Sequence, residues 1–130
     1  MDLILDTCGL LSLAGIAERA LSDQCLDSIR QADTLYISAC SHFEIGLKHK
    51  RGHLELDDFE TPAAFWDACL KAYELSECAT TAAHFDAAVH LPDHHADPFD
   101  RIIIATAQAL NCRVVTYDKR FDAYEVETTC

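Results

Sequence analysis

The chain alternates short, unbroken apolar runs with longer stretches whose apolar residues recur three or four positions apart. Leu3-Ile4-Leu5 is apolar throughout and stops at Asp6, as a strand covered on both faces does. Gly9 to Ala14 is helix-like, and across Glu18–Gln31 the residues Ala20/Leu21, Cys25/Leu26 and Ile29 keep helical spacing. Leu35-Tyr36-Ile37 predicts a second strand, and Ser38–Lys50 a helix that Gly52 ends. Thr61-Pro62 opens another helix, with proline at its first position where the missing N–H costs nothing. That helix puts Phe65, Ala68, Cys69, Ala72 and Tyr73 on one face, and the stripe Phe65, Trp66, Cys69, Tyr73 reads as core or as a partner surface. Leu75–Ala79 predicts a short strand, and Thr81–His90 a helix closed by Leu91-Pro92. Asp97-Pro98 begins a helix running to Asn111; Arg113–Tyr117 then predicts a β-branched strand and Tyr124–Glu127 a last edge strand.

Strands separated by helices predict an α/β fold: a mostly parallel sheet of four or five strands with helices on both faces. No linker or internal repeat divides residues 1–130, so one domain is expected. Half the residues are hydrophobic and 25% are charged, which argues against disorder. Ten Lys plus Arg against 22 Asp plus Glu give a net charge of −12. That excludes a general electrostatic grip on a phosphate backbone; nucleic acid would have to be held locally or through a bound cation. Seven cysteines are an odd number, and none are spaced C-x-x-C. Reduced, buried thiols in a cytoplasmic protein are expected, Cys8 among them, since no base or oxyanion site marks it as a nucleophile. Asp2 and Asp6 stand where a secretory leader carries Lys or Arg. The longest uncharged runs, Thr7–Ala17 and Ile102–Cys112, are about half of what crosses a bilayer, so no membrane association is expected.

In parallel sheets, ligands bind beyond the carboxyl ends of the strands. Asp6 closes the first strand, and Glu44 lies early in the helix after the second. Asp97 and Asp100 head the long helix on one face, and Asp118 closes Arg113–Tyr117. Acids converging on one rim would repel one another unless a cation lay among them, and oxygen ligands select Mg²⁺ or Mn²⁺. Such ions support phosphodiester hydrolysis. Each acid also has a structural reading. Ser41 and Glu44 fit a capping box, Asp97 an N-cap, Asp100 a dipole-favoured first-turn acid, and Asp6 and Asp118 turn residues. Spacing alone leaves both readings open.

Four segments narrow this: LILDTCGLLSL (Leu3–Leu13), ISACSHFEIGLKHKRGHLEL (Ile37–Leu56), LPDHHADPFDRIIIATAQAL (Leu91–Leu110) and VVTYDKRF (Val114–Phe121). Together they resemble a PIN-domain ribonuclease, and more narrowly the VapC-like toxins of bacterial type II toxin–antitoxin pairs. The likeness spans nearly the whole chain, and DPFDR is its most specific segment. It implies a PIN-like fold and a cytoplasmic, metal-dependent endoribonuclease. Its main acids fall on Asp6, Glu44, Asp100 and Asp118, with Asp97 as an additional acid assisting through water. The same likeness gives Thr7 and Thr116 orienting roles beside the acids. It also implies a small antitoxin partner and a homodimer.

Among the other polar residues, Lys48, Lys119 and Arg120 flank the expected rim as phosphate contacts or as ordinary solvated charges. Arg101, next to Asp100, either pairs with an acid or positions RNA. His94 and His95 are expected in loop packing beside the rim, within reach of substrate. Three rivals stand beside the nuclease. One is a PIN-like module that binds RNA or protein without cutting, and another is a phosphatase of small phosphoesters. The third is a zinc hydrolase on His90, His94 and His95, which Pro92 opposes by interrupting the helix that would align them.

Overall fold

Leu3–Leu5 (β1) is the central strand of a five-stranded parallel sheet in the computed structural model, which describes residues 1–130. Leu35–Ser38 (β2) and Ser76–Cys78 (β3) lie on one side of it, and Arg113–Val115 (β4) and Thr128–Thr129 (β5) on the other, giving the order β3-β2-β1-β4-β5. The chain therefore builds outward from β1 in one direction and crosses back to build in the other. The crevice between β1 and β4 is the switch point at which such sheets bind ligands.

Between the strands run six α-helices: Thr7–Leu13 (α1), Asp23–Gln31 (α2), Ala39–Lys50 (α3), Pro62–Ala72 (α4), Ala82–His90 (α5) and Pro98–Leu110 (α6). A 3-10 helix spans Lys119–Ala123. Alternate residues of the strands feed two separate cores. Leu3, Leu5, Leu35, Ile37 and Val115 pack with Leu10, Ile45, Phe65 and Trp66. Ile4 and Val114 face the other way, against Ile103, Ile104, Ala107 and Phe121. Continuously apolar strands are what two covered faces require.

The order of elements agrees with the sequence pattern; the differences lie at boundaries. Glu18–Gln31 is helical only from Asp23, because Ser22 caps there with its side chain accepting from the Cys25 N–H. Arg113–Tyr117 is strand only to Val115. Tyr124–Glu127 is not a strand: Tyr124 turns into the second core, and the edge pairing is made by Thr128 and Thr129. Phe65, Trp66 and Cys69 are buried, and the Tyr73 hydroxyl donates to the Leu13 carbonyl, so the α4 stripe is core.

The expectation of seven reduced thiols fails at one pair. Cys25 and Cys130 form a disulfide across 105 residues, because α2 and the segment after β5 come within a Cα–Cα distance of 5.5 Å. Cys8 is exposed rather than buried, since it faces outward from the first turn of α1. No helix is long and apolar enough to cross a membrane.

Candidate active site

Asp6 leaves the end of β1 and caps α1, its Oδ1 accepting from the Gly9 N–H at 2.6 Å. Its own N–H donates to the Val115 carbonyl of β4 at 3.2 Å, which holds it at the switch point. Gly9 is required there by space rather than by backbone angle. A Cβ would lie 2.8 Å from the Val115 carbonyl oxygen and 2.9 Å from Asp6 Oδ1. Gly9→Ala is therefore expected to cost about 1–3 kcal/mol and to weaken the Asp6 position. Urea titration checks the stability, and an unchanged midpoint would show that the contact relaxes freely.

Glu44 enters from the second turn of α3, only 7% exposed. The expected capping box with Ser41 does not form, because the helix begins at Ala39 with Ser38 as its cap. Ser41 instead accepts from the Thr7 hydroxyl at 2.9 Å. Thr7 thus joins α1 to α3 beside the acids. Lys48 Nζ lies 3.2 Å from Glu44 Oε2, while Oε1 is buried without a hydrogen-bond partner.

Asp97 is the N-cap of α6, with Oδ1 accepting from the N–H groups of Phe99 and Asp100 and proline at the first helical position. The cap sets Asp100 in the first turn of the helix, as its third residue. Asp118 follows β4 and caps the 3-10 helix. The Thr116 hydroxyl accepts from the Asp118 N–H at 3.0 Å and also supports the Asp6 carboxylate, so it orients two acids together.

His95 completes the cluster. Its ring is buried, with Nε2 2.9 Å from Asp100 Oδ2 and 3.0 Å from Asp118 Oδ2. Nδ1 accepts from the Asp97 N–H, which assigns the ring proton to Nε2, hydrogen-bonded to Asp118. His95 therefore bridges two acids instead of lying loosely beside them. The signal in the sequence is its place two residues before Asp97, close enough for its ring to accept from the Asp97 N–H. His94, by contrast, packs edge-on against Tyr124. His90 is exposed and bonded to its own helix at the Asp86 carbonyl. The three histidines do not converge, and the zinc-site geometry they would need is absent.

Arg101, expected to pair with an acid or to position RNA, lies with Nη1 3.7 Å from Asp93 Oδ1 and is otherwise turned into the protein. Its guanidinium donates to the carbonyls of Ala88, Val89, Leu91, Pro92 and His95 and to the Tyr124 hydroxyl. The Tyr124 hydroxyl also accepts from the N–H groups of His94 and His95. Together they hold the segment that carries His95. Lys119 is exposed at the start of the 3-10 helix.

The electrostatics follow from burial and crowding. Burial pushes the Asp6 carboxyl up to about 6, with the Thr116 and Gly9 hydrogen bonds opposing and Asp118 and Glu44 adding to the rise. Asp100 goes further, to about 8, through burial first and then the charges of Asp97, Asp6, Glu44 and Asp118. Asp118 is held down to about 2, chiefly by the Arg120 side chain. Burial pulls the Lys48 ammonium down, but Glu44 outweighs it and leaves it above its ordinary value. Cys8, at the edge of this field, is pushed up to about 11 by desolvation and then by Asp6, so it is a poor nucleophile. The donor set is carboxylate oxygen, one of them buried and unpartnered, and it fits a hard divalent cation. Ligand atoms of Asp100, Asp118 and His95 lie within 4.8 Å of one another; Asp6 and Glu44 are near enough for their charges to raise Asp100, and Asp97 stands beside them as the cap of α6.

No curated protein sequence gives a significant match to the chain. Among solved structures it resembles VapBC2 from Rickettsia felis bound to a DNA fragment from its promoter, with a TM-score of 0.70, 16% identity, and 99% of this chain and 98% of that one covered. It also resembles a toxin–antitoxin complex from Klebsiella pneumoniae (TM-score 0.66, 16% identity, 98% and 96% covered). A third likeness is to PAE2754 from Pyrobaculum aerophilum (TM-score 0.62, 15% identity, 98% and 89% covered). At such identities these likenesses speak to the fold. The sequence model of the PIN domain matches residues 3–127, a span that takes in every acid of the cluster, and the chain belongs to the PIN domain family.

Proposed function

We propose that the chain is a metal-dependent endoribonuclease acting in the cytoplasm as the toxin of a toxin–antitoxin pair. What supports this is that ligand atoms of Asp100, Asp118 and His95 lie within 4.8 Å of one another, that Asp6 and Glu44 are near enough for their charges to raise Asp100, and that Glu44 Oε1 is buried and unpartnered. These four would hold Mg²⁺ or Mn²⁺, with Asp97 assisting through water. A bound dication supplies polarisation of the phosphoryl oxygen and an activated water. The chain's part is placement. The Gly9 N–H and the Thr116 hydroxyl orient Asp6, His95 ties Asp118 toward Asp100, and Thr7 buttresses α1 against α3. Lys48, Lys119 and Arg120 would supply phosphate contacts, Lys48 from beside Glu44 and Arg120 from beside Asp118.

The antitoxin partner is inferred from the shared fold with the VapBC complex and the toxin–antitoxin complex. A net charge of −12 favours a basic partner. A homodimer follows from the family resemblance, and mass by size exclusion at low concentration tests it. The function is tested by RNA cleavage with and without Mn²⁺. Wild type is expected to cut only with the ion, and a folded Asp6→Asn variant to lose at least about a hundredfold in rate. Cleavage by wild type in excess chelator would defeat the proposal, whereas Mn²⁺-dependent release of phosphate from a nucleoside monophosphate, with RNA left intact, would favour the phosphatase reading.

A further inference from the structure

Asp118 differs from the other acids in what already occupies it. Oδ1 accepts from the Arg120 backbone N–H at 2.9 Å and from Arg120 Nε at 3.0 Å. Oδ2 accepts from Arg120 Nη2 at 2.8 Å, from Nε at 3.2 Å and from His95 Nε2 at 3.0 Å. Both oxygens are thereby engaged by Arg120, with Nε–H shared between them, so a cation approaching Asp118 meets a carboxylate already paired. Glu44 is the opposite case: Lys48 touches Oε2 alone and Oε1 is left free.

We propose that Arg120 is a built-in counter-ion that covers Asp118 in the metal-free protein and competes with the dication for it. This rests on the carboxylate–metal reading above. Of the two groups on Asp118, Arg120 is the one that yields. Its side chain is 62% exposed, so a freed guanidinium returns to water at little cost. The His95 ring is buried and bridges Asp118 Oδ2 and Asp100 Oδ2, so it is held by the fold and cannot swing into water as Arg120 can. A monovalent fork beside crowded carboxylates relieves their repulsion when no dication is present, and is redundant once one arrives. Arg120 therefore sets a threshold: cation occupancy at Asp118 requires that the Arg120 side chain let go.

The test is calorimetric titration of Mn²⁺ into metal-free wild type, Arg120→Ala and Asp100→Asn. Side-chain N–H NMR of Arg120 is followed in parallel during titration of diamagnetic Mg²⁺. Arg120→Ala is expected to bind Mn²⁺ about tenfold more tightly than wild type. In wild type the Arg120 Nε–H resonance is expected to move to its solvent-exposed position as Mg²⁺ fills the site. Equal or weaker binding by Arg120→Ala, or an Arg120 resonance unmoved at saturation, overturns the proposal. If Asp100→Asn has meanwhile lost Mn²⁺ binding, the carboxylate–metal reading survives that failure. Absence of binding in both wild type and Arg120→Ala overturns both.

Discussion

Asp100→Asn is expected to abolish RNA cleavage while making the metal-free protein more stable. The activity loss follows from removing one negative ligand from the cluster. Lewis-acid stabilisation worth several kcal/mol corresponds to about a thousandfold in rate. The stability gain follows from linkage. Asp100 titrates near 8 in the folded protein against an ordinary value of 3.8. Between those values the folded state holds a proton that the unfolded state has lost, so stability falls as pH rises through the interval. Asp6, near 6 when folded, adds to the fall at the acidic end. Asp118 works in the opposite sense: its stabilisation is present above its ordinary value and disappears as pH drops toward 2. In chelator, the melting temperature of wild type should decline from pH 5 to pH 8, and Mn²⁺ should restore it most strongly at pH 8. The isosteric amide removes the Asp100 part, worth at least about 1 kcal/mol and several degrees at pH 8. Calorimetric melting across pH checks this, and a variant as pH-sensitive as wild type would refute the assignment. The two signs together separate a strained functional acid from a structural one, whose loss would lower stability.

Arg101→Ala is expected to be the most destabilising single change outside the apolar core. One guanidinium serves five carbonyls at the end of α5 and the following loop, with contacts from 2.7 to 3.3 Å. Its removal leaves partly buried carbonyls without a donor and frees Tyr124 from one of its partners. A loss of about 3 kcal/mol is expected, or roughly 10 °C in melting temperature for a domain of this size. Arg101→Lys should recover little, because an ammonium cannot reach carbonyls spread around a planar fork. Because His95 rides on this loop, faster amide exchange at residues 88–95 should accompany lower cleavage activity. Loss of activity with unchanged melting and exchange would instead place Arg101 at the substrate rather than on the loop carbonyls.

Glu44 and His95 mark where reading from sequence succeeds and where it stops. The run of elements, the helix starts at Thr61 and Asp97, and the placing of acids after strands are local matters. Each depends on residues within a turn of one another, and the apolar periodicity records them directly. The two covered sheet faces were likewise legible in the unbroken apolar strands. The family likeness then picked out four acids among 22. Spacing alone cannot decide whether Glu44 is a cap or a cluster member, since a capping box and a ligand present the same residue types.

Tertiary structure decided everything that depends on which distant segments touch. Only the fold brings His95 between Asp100 and Asp118, turns Arg101 inward onto loop carbonyls, and lays Cys130 against Cys25. Only the fold fills Asp118 while leaving Glu44 Oε1 bare. Local sequence determines where an acid, a histidine or an arginine stands on its own element, because backbone geometry is short-ranged. What that group touches, and hence its charge state and chemistry, is set by burial and by partners tens of residues away, which no local pattern encodes.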